Sequence, residues 1–203
     1  MMNASPSDSR LEVSLRERKK ARTKAVIQHE ALALFRERGY EATTIEQIAE
    51  AAEVAVSTVF RYFPAKEDLV LTDDYDPLLA AAFRAQPPGL APVTAMRQSL
   101  RTVLSGLSQQ ELADMRARAT LALAVPALRA SLLDQLAQAI ELIGDMVARH
   151  TGRSRDDYAV HTLAGAIYGV LISAEFYWVE HPDSDLLPLL DQALAHLESG
   201  LFR

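Results

Sequence analysis

Hydrophobic positions along this chain recur at spacings of three and four, and no stretch shows the alternation of a half-buried strand. Ile27, Ala31, Leu34 and Phe35 share one face, which predicts a helix over Leu15–Arg38 that Gly39 terminates. From Thr43 the run TTIEQIAEAAEVAVSTVFRYFPAKEDL sets Ile45, Ile48, Ala49 and Ala52 at helical spacing, breaks, and resumes with Val59 and Phe63 four apart. That is a short helix, a tight turn and a second short helix. Thr43 or Thr44 is placed to cap the first, with Glu46 or Gln47 three residues on to complete a capping box. Pro64 closes the second. A fourth helix opens near Lys66 and stops or kinks at Asp76 and Pro77. QPPGLAP, residues 86–92, reads as a loop. Five longer helices are then predicted near Val93–Leu107, Gln109–Ala124, Ala127–His150, Arg155–Glu180 and Asp185–Leu201, with breaks at Pro126, Gly152 and Pro182. The expected fold class is all-α. Residues 1–14 are expected to be a disordered arm, 15–70 a three-helix helix-turn-helix head, and 71–203 a larger helical body.

The second short helix is unusual on its outer side. Val59 and Phe63 take the inner face, so Ser57, Phe60 and Arg61 share another. A face that only meets water has little use for a phenyl ring. A helix lying in the major groove of DNA uses all three: a hydroxyl and a guanidinium for base edges, and a flat apolar group for thymine methyls.

Net charge changes the picture only through its distribution. The total is −6, which disfavours a polyanionic partner. Residues 1–70, however, hold 11 basic and 11 acidic side chains, so the whole deficit lies in the body. Arg16, Arg18, Lys19, Lys20, Arg22 and Lys24 crowd one short stretch against a single acid, Glu17. One end is locally positive and the other is repelled by phosphate, which orients the chain on DNA rather than excluding it. Taken alone, the basic run reads equally well as a solvated helix face or a flexible tail.

The wording of the head resembles the tetracycline-repressor (TetR) family of bacterial transcription regulators. RTKAVIQHEALALFRERGYEATTIEQIA is similar to that family's first two helices, and VSTVFRYFPAKEDL to its recognition helix and the start of its fourth. The resemblance implies double-stranded DNA as a partner, contacted through Arg22, Thr43, Thr44, Val56, Ser57, Thr58, Phe60, Arg61, Tyr62 and Lys66. Three departures sit around the turn. Glu53 stands where Gly is usual and a left-handed backbone is needed, Ala55 where a Ser cap is usual, and Ser57 where Gly is frequent. FRYFPAKEDLVL is also similar to an actinobacterial subgroup that includes mycofactocin-type regulators, which implies a ligand class near acyl thioesters.

In the resembled family the body binds a small effector and makes a homodimer through its last two helices. Ala164, Gly165, Tyr168, Gly169 and Ile172 repeat at three or four, and His161 precedes them by one turn. Small residues allow close helix approach, so His161, Gly165, Tyr168, Gly169 and Ile172 are the candidate dimer interface, although the same stripe could pack inside one subunit. Met96, Met115 and Met146 are adaptable apolar side chains, Tyr168 and Phe176 offer flat faces, and Arg116 and Glu175 are ionisable groups in apolar helices. Together they suit a hydrophobic effector with one polar end. Core packing explains each methionine or aromatic just as well.

Other chemistry is poorly supported. There is no cysteine, so disulfides, thiolate metal sites and cysteine nucleophiles are excluded. The five histidines show no ligand spacing, and TDDYD, residues 72–76, reads as linker and caps because adjacent carboxylates point different ways on a helix. No glycine-rich phosphate loop and no serine in a strained glycine-flanked turn are present. No catalytic residue, cofactor or metal is expected. A non-catalytic scaffold or interaction protein is the principal alternative, and a small helical enzyme the remoter one. The start, MMNASPSDSR, lacks an apolar signal core, which predicts a cytoplasmic protein. The longest apolar run, Leu163 to Ala174, is shorter than a bilayer span, so no membrane partner is expected.

Overall fold

In a computed structural model of the chain, residues 15–72 and 75–200 are described. The expected arm over 1–14, and Asp73 and Asp74 of the acidic run, lie outside them. The described residues form eleven helices and no strand. The chain divides into two compact units, residues 1–70 and 71–203, which are taken in turn.

In the first unit α1 (Leu15–Arg38) is followed by α2 (Ile45–Ala51), α3 (Val56–Tyr62) and α4 (Asp68–Leu71). The inward face read from the sequence is the face the helix buries: Ile27, Ala31, Leu34 and Phe35 are buried, as are Ile48, Val59, Phe63 and Leu69 on the other helices of the unit and beside them. Fully burying such side chains is worth about 1.5–3 kcal/mol each. Gly39 ends α1 at φ 86°, a left-handed conformation that a Cβ disfavours. The buried Gln28 amide donates to the Leu69 carbonyl at 3.0 Å and so ties α1 to α4. Phe63, just before Pro64, is extended at φ −134° and ψ 90°, the region proline imposes on its predecessor, and α3 ends there.

The second unit holds α5 (Tyr75–Arg84), α6 (Pro92–Leu104), α7 (Gln109–Ala124), α8 (Pro126–Ala130), α9 (Leu132–Thr151), α10 (Tyr158–Glu180) and α11 (Leu186–Ser199). One core gathers Phe83, Met96, Val147, Ala164, Ile167 and Leu194 from five of these helices. A second holds Leu104, Ala174, Trp178, Leu186 and Leu190. A bidentate pair joins α6 to α11. Arg97 Nε donates to Asp191 Oδ1 at 3.1 Å and Nη2 to Oδ2 at 3.0 Å.

Three boundaries differ from expectation. The single helix read over 127–150 is two, because the chain tightens at Ser131, whose N–H donates to Leu128 O at 3.1 Å. α10 starts at Tyr158, since Asp157 caps it by accepting the Ala159 N–H at 2.9 Å. The break between α4 and α5 falls before Tyr75, and Pro77 lies inside the first turn of α5. The length estimate for the apolar run is also corrected. It sits inside the 23-residue α10, which is long and apolar enough to cross a membrane by length and composition alone.

Candidate nucleic-acid interface

The turn between α2 and α3 is set by backbone hydrogen bonds. Val54 N–H donates to Ala49 O at 2.9 Å and Glu53 N–H to Glu50 O at 3.1 Å. These are the two reversed bonds of a Schellman ending, which needs a left-handed residue at its centre. Glu53 occupies that place at φ 53° and is the one non-glycine residue with positive φ among the described residues. The geometry usual for glycine is therefore kept, at a cost of roughly 1–2 kcal/mol to a residue with a Cβ. At the other helix start, Thr44 closes a capping box. Its hydroxyl accepts from Gln47 N at 3.3 Å, and the Gln47 side chain accepts from Thr44 N at 3.0 Å. Ala55 opens α3 with no side-chain cap.

With the turn fixed, α3 presents two faces. Val59 is fully buried, while Phe60 stays 47% exposed. Ser57 and Arg61 are exposed beside it. Arg61 lies with its guanidinium 5.1 Å from the Tyr62 ring centroid and makes no hydrogen bond among the described residues, so its donors are available. Thr58, Tyr62 and Val56 are half-buried at the flanks. Arg22 and Thr44 are exposed. Arg16 and Arg18 of the basic stretch have side chains outside the described set.

Two of the expected contacts sit differently. Thr43 is 1% exposed, and its hydroxyl donates to Gly39 O at 2.9 Å and Leu34 O at 3.3 Å. It fastens the corner between α1 and α2 and turns away from solvent, so the expected outward role fails for it. Lys66 is half-buried; its ammonium donates to Tyr40 O at 2.5 Å and lies 4.3 Å from the Tyr40 ring centroid. Tyr40 is a residue that pattern reading missed. Burial first, then Glu67, Glu41 and Asp68, push its phenol pKa above the ordinary value, and its hydroxyl has no hydrogen-bond partner among the described residues.

Comparison with known proteins decides the family. The description "Bacterial regulatory proteins, tetR family" matches residues 27–72, and "MftR C-terminal domain" matches residues 90–202. The chain is 33% identical over 199 residues to the HTH-type transcriptional regulator TcmR of Streptomyces glaucescens, covering 93% of this chain and 88% of that protein. The chain belongs to the TetR family. It is also 28% identical over 189 residues to the mycofactocin biosynthesis regulator MftR of Mycobacterium tuberculosis, covering 92% of this chain and 94% of that one. Among solved structures it resembles Thermus thermophilus FadR in complex with lauroyl-CoA. That match has 26% identity and TM-score 0.56, and covers 89% of this chain and 95% of that one. This chain is thus a TetR-family transcriptional regulator, and the relatives named here are regulators as well.

In the body of this TetR-family regulator the candidate residues separate. Among the described residues an open groove of about 240 Å³ lies between α5 and α9, lined by Phe83, Arg84, Leu142, Met146, Arg149 and His150 among others. Of the seven expected ligand residues only Met146 lines it. Met96 is fully buried in the first core, and Met115 packs on the second. Arg116 is a strap: its guanidinium donates to Pro182 O and to Ser184 O (2.8 Å) and lies 4.4 Å from the Trp178 ring centroid. Glu175 is half-buried and Phe176 is 37% exposed. The α10 stripe also divides. Ala164 is buried and Tyr168 packs on the first core, where burial, with Glu175 beside it, raises its phenol pKa. His161, Gly165, Gly169 and Ile172 lie on the less covered side, and a Cβ added at Gly165 or Gly169 would meet nothing within 4 Å. Arg84, Arg149 and His150 were missed because they are scattered over two helices. The available signal was an arginine in the last turn of each of two helices.

Proposed function

We propose that this regulator is a cytoplasmic repressor that binds an inverted-repeat operator as a homodimer and leaves it when a small hydrophobic effector binds. The observation that carries the DNA reading is the outer face of α3. An exposed phenyl ring, a free hydroxyl and a guanidinium with open donors stand together on a helix whose opposite face anchors in the core. Arg61 reads a guanine through its fork, Phe60 packs on a thymine methyl, and Ser57 completes the contact. Thr44, Thr58 and Tyr62 hold phosphates around that face, Arg22 adds charge along the backbone, and Val56 packs at the helix start. Lys66 joins them by exchanging the Tyr40 carbonyl for a phosphate oxygen.

The dimer follows from α10. Only 22% of its apolar window is buried within one chain, and Gly165 and Gly169 leave room for a second helix to approach closely. Two-fold symmetry in the protein then requires it in the operator, with half-site centres about one turn, ~34–36 Å, or a little more apart. Likeness to a FadR that holds lauroyl-CoA supports an apolar effector with a polar end, near the acyl thioesters. A coupling of about 1–3 kcal/mol between effector and operator gives a 5- to 150-fold loss of affinity, and linkage makes operator DNA weaken effector binding by the same factor.

The test is Arg61→Ala titrated against matched and base-substituted operators. The variant is expected to lose about 1–3 kcal/mol and to relax preference at one base per half-site. Equal weakening on every sequence would assign Arg61 to phosphate instead.

A further inference from the structure

We infer that the groove between α5 and α9 binds a small amphipathic anion, a carboxylate or phosphate on an apolar body. Arg84 and Arg149 hold the head group, and Phe83, Leu142 and Met146 hold the tail. The groove exists because Leu142, Asp145, Met146, Arg149 and His150 repeat at three and four along α9 and face Phe83 and Arg84 of α5. Its floor is apolar, with Phe83 at 1% and Met146 at 6% exposure. Its rim is positive.

Arg84 and Arg149 are both exposed at the cavity, and among the described residues neither pairs with a carboxylate. The acid beside them is already engaged. Asp145 Oδ1 lies 3.0 Å from Arg155 Nε, and Glu141, on the same helix, pairs with the other end of that guanidinium at 3.4 Å. His150 braces the wall. Its Nε2–H donates to Leu90 O at 2.7 Å, and its ring sits edge-on to Phe83 with centroids 5.2 Å apart.

Two uncommitted guanidinium forks over an apolar floor complement a planar or tetrahedral oxyanion joined to a hydrocarbon. They disfavour an ammonium head and gain little from an alcohol. The surrounding body is acidic overall, so this rim is a local reversal of sign. The cavity, about 240 Å³, is smaller than the roughly 300–1,000 Å³ of pockets for drug-sized ligands. A medium-length chain or one ring fits it. This inference rests on the effector reading of the body and adds the location of the site and the sign of the ligand's charge.

The experiment uses full-length protein labelled at the methionine methyls, of which the chain has only five. Sodium octanoate, octyl phosphate, 1-octanol and octylamine are titrated in turn, up to about 10 mM, which detects dissociation constants down to weak millimolar binding. Octanoate or octyl phosphate is expected to shift the Met146 methyl saturably while Met115 stays still, and the preferred head group tells carboxylate from phosphate. Arg84→Gln with Arg149→Gln is expected to weaken that binding at least tenfold and to leave Trp178 fluorescence unchanged. Octanol or octylamine binding as well as the anions, an anion-induced shift that survives both substitutions, or no Met146 shift with any anion would overturn the inference. No DNA is present, so failure here leaves operator release standing. In a separate titration with operator DNA, anion binding in the groove that leaves operator affinity unchanged would overturn release and keep the groove.

Discussion

Replacing Glu53 by glycine should stabilise the head. The perturbation is confined to one backbone position that sits at φ 53° in the Schellman ending of α2. A left-handed residue with a Cβ costs about 1–2 kcal/mol, which glycine does not incur. Glycine also frees the unfolded chain, a loss of about 0.4–1 kcal/mol. The balance favours Glu53→Gly by roughly 0.5–1 kcal/mol, since the turn keeps both its hydrogen bonds. Glu53→Ala is the control. It removes the carboxylate and keeps the Cβ, so it should gain little or nothing. The readout is amide hydrogen exchange at Ile48 and Val59 in the full-length protein. Both amides are hydrogen-bonded, to Thr44 O and Ala55 O, on either side of the turn. The single tryptophan, Trp178, lies in the body and monitors whether that unit is disturbed. Slower exchange in Glu53→Gly alone is the expected result. Equal effects of glycine and alanine would trace the gain to charge, and no gain from glycine would refute the strain argument.

Ala55→Ser should add about 1 kcal/mol to the head by capping α3, where Ala55 is extended at φ −70° and ψ 147° and supplies no cap; an unchanged unfolding midpoint would show that the free N–H groups are satisfied otherwise. Tyr40→Phe removes a buried hydroxyl without a partner and should be neutral or stabilising by up to about 1 kcal/mol; a comparable loss would reveal a partner. Asp191→Asn should cost about 1–3 kcal/mol near neutral pH by breaking the Arg97 fork. The Arg97 hydrogen bond is the largest influence holding the Asp191 carboxyl below its usual 3.8, so its contribution is complete above that value and is lost as pH falls through the lower folded one. Denaturant titrations should therefore show a constant gap between wild type and variant from about pH 7 to 5, narrowing below about pH 4; a gap that widens on acidification would reverse the assignment.

What could be read without the structure was whatever local chemistry decides. The inner face of α1, its glycine ending and a capping box at Thr43 or Thr44 follow from local pattern, and the resemblance of the head to the TetR family marks the turn position that Glu53 fills. The outward face of Ser57, Phe60 and Arg61 also follows from helical spacing against Val59 and Phe63. What escaped depends on distant partners. Thr43 and Thr44 are equivalent caps in sequence, and only the carbonyls of Leu34 and Gly39 turn one inward. Lys66 looks free until Tyr40 is brought beneath it. The α10 stripe could not be divided by spacing alone, because residues 164 and 165 differ by one position and face opposite surroundings. The expected ligand residues were chosen for flexibility and flatness, properties that core packing requires equally, and Arg116 was occupied by two carbonyls of a later loop.

The most direct test of the account is selection of binding sites from random-sequence double-stranded DNA by the full-length protein, at one fixed salt concentration. The bound pool should converge on an inverted repeat with half-site centres ~34–36 Å or slightly more apart. A Ser57→Ala, Phe60→Ala, Arg61→Ala triple variant should retain only weak, salt-sensitive binding without that motif. A pool with no enriched sequence, a single half-site bound at full affinity, or the same motif selected by the triple variant would contradict a dimeric repressor that reads its operator through α3.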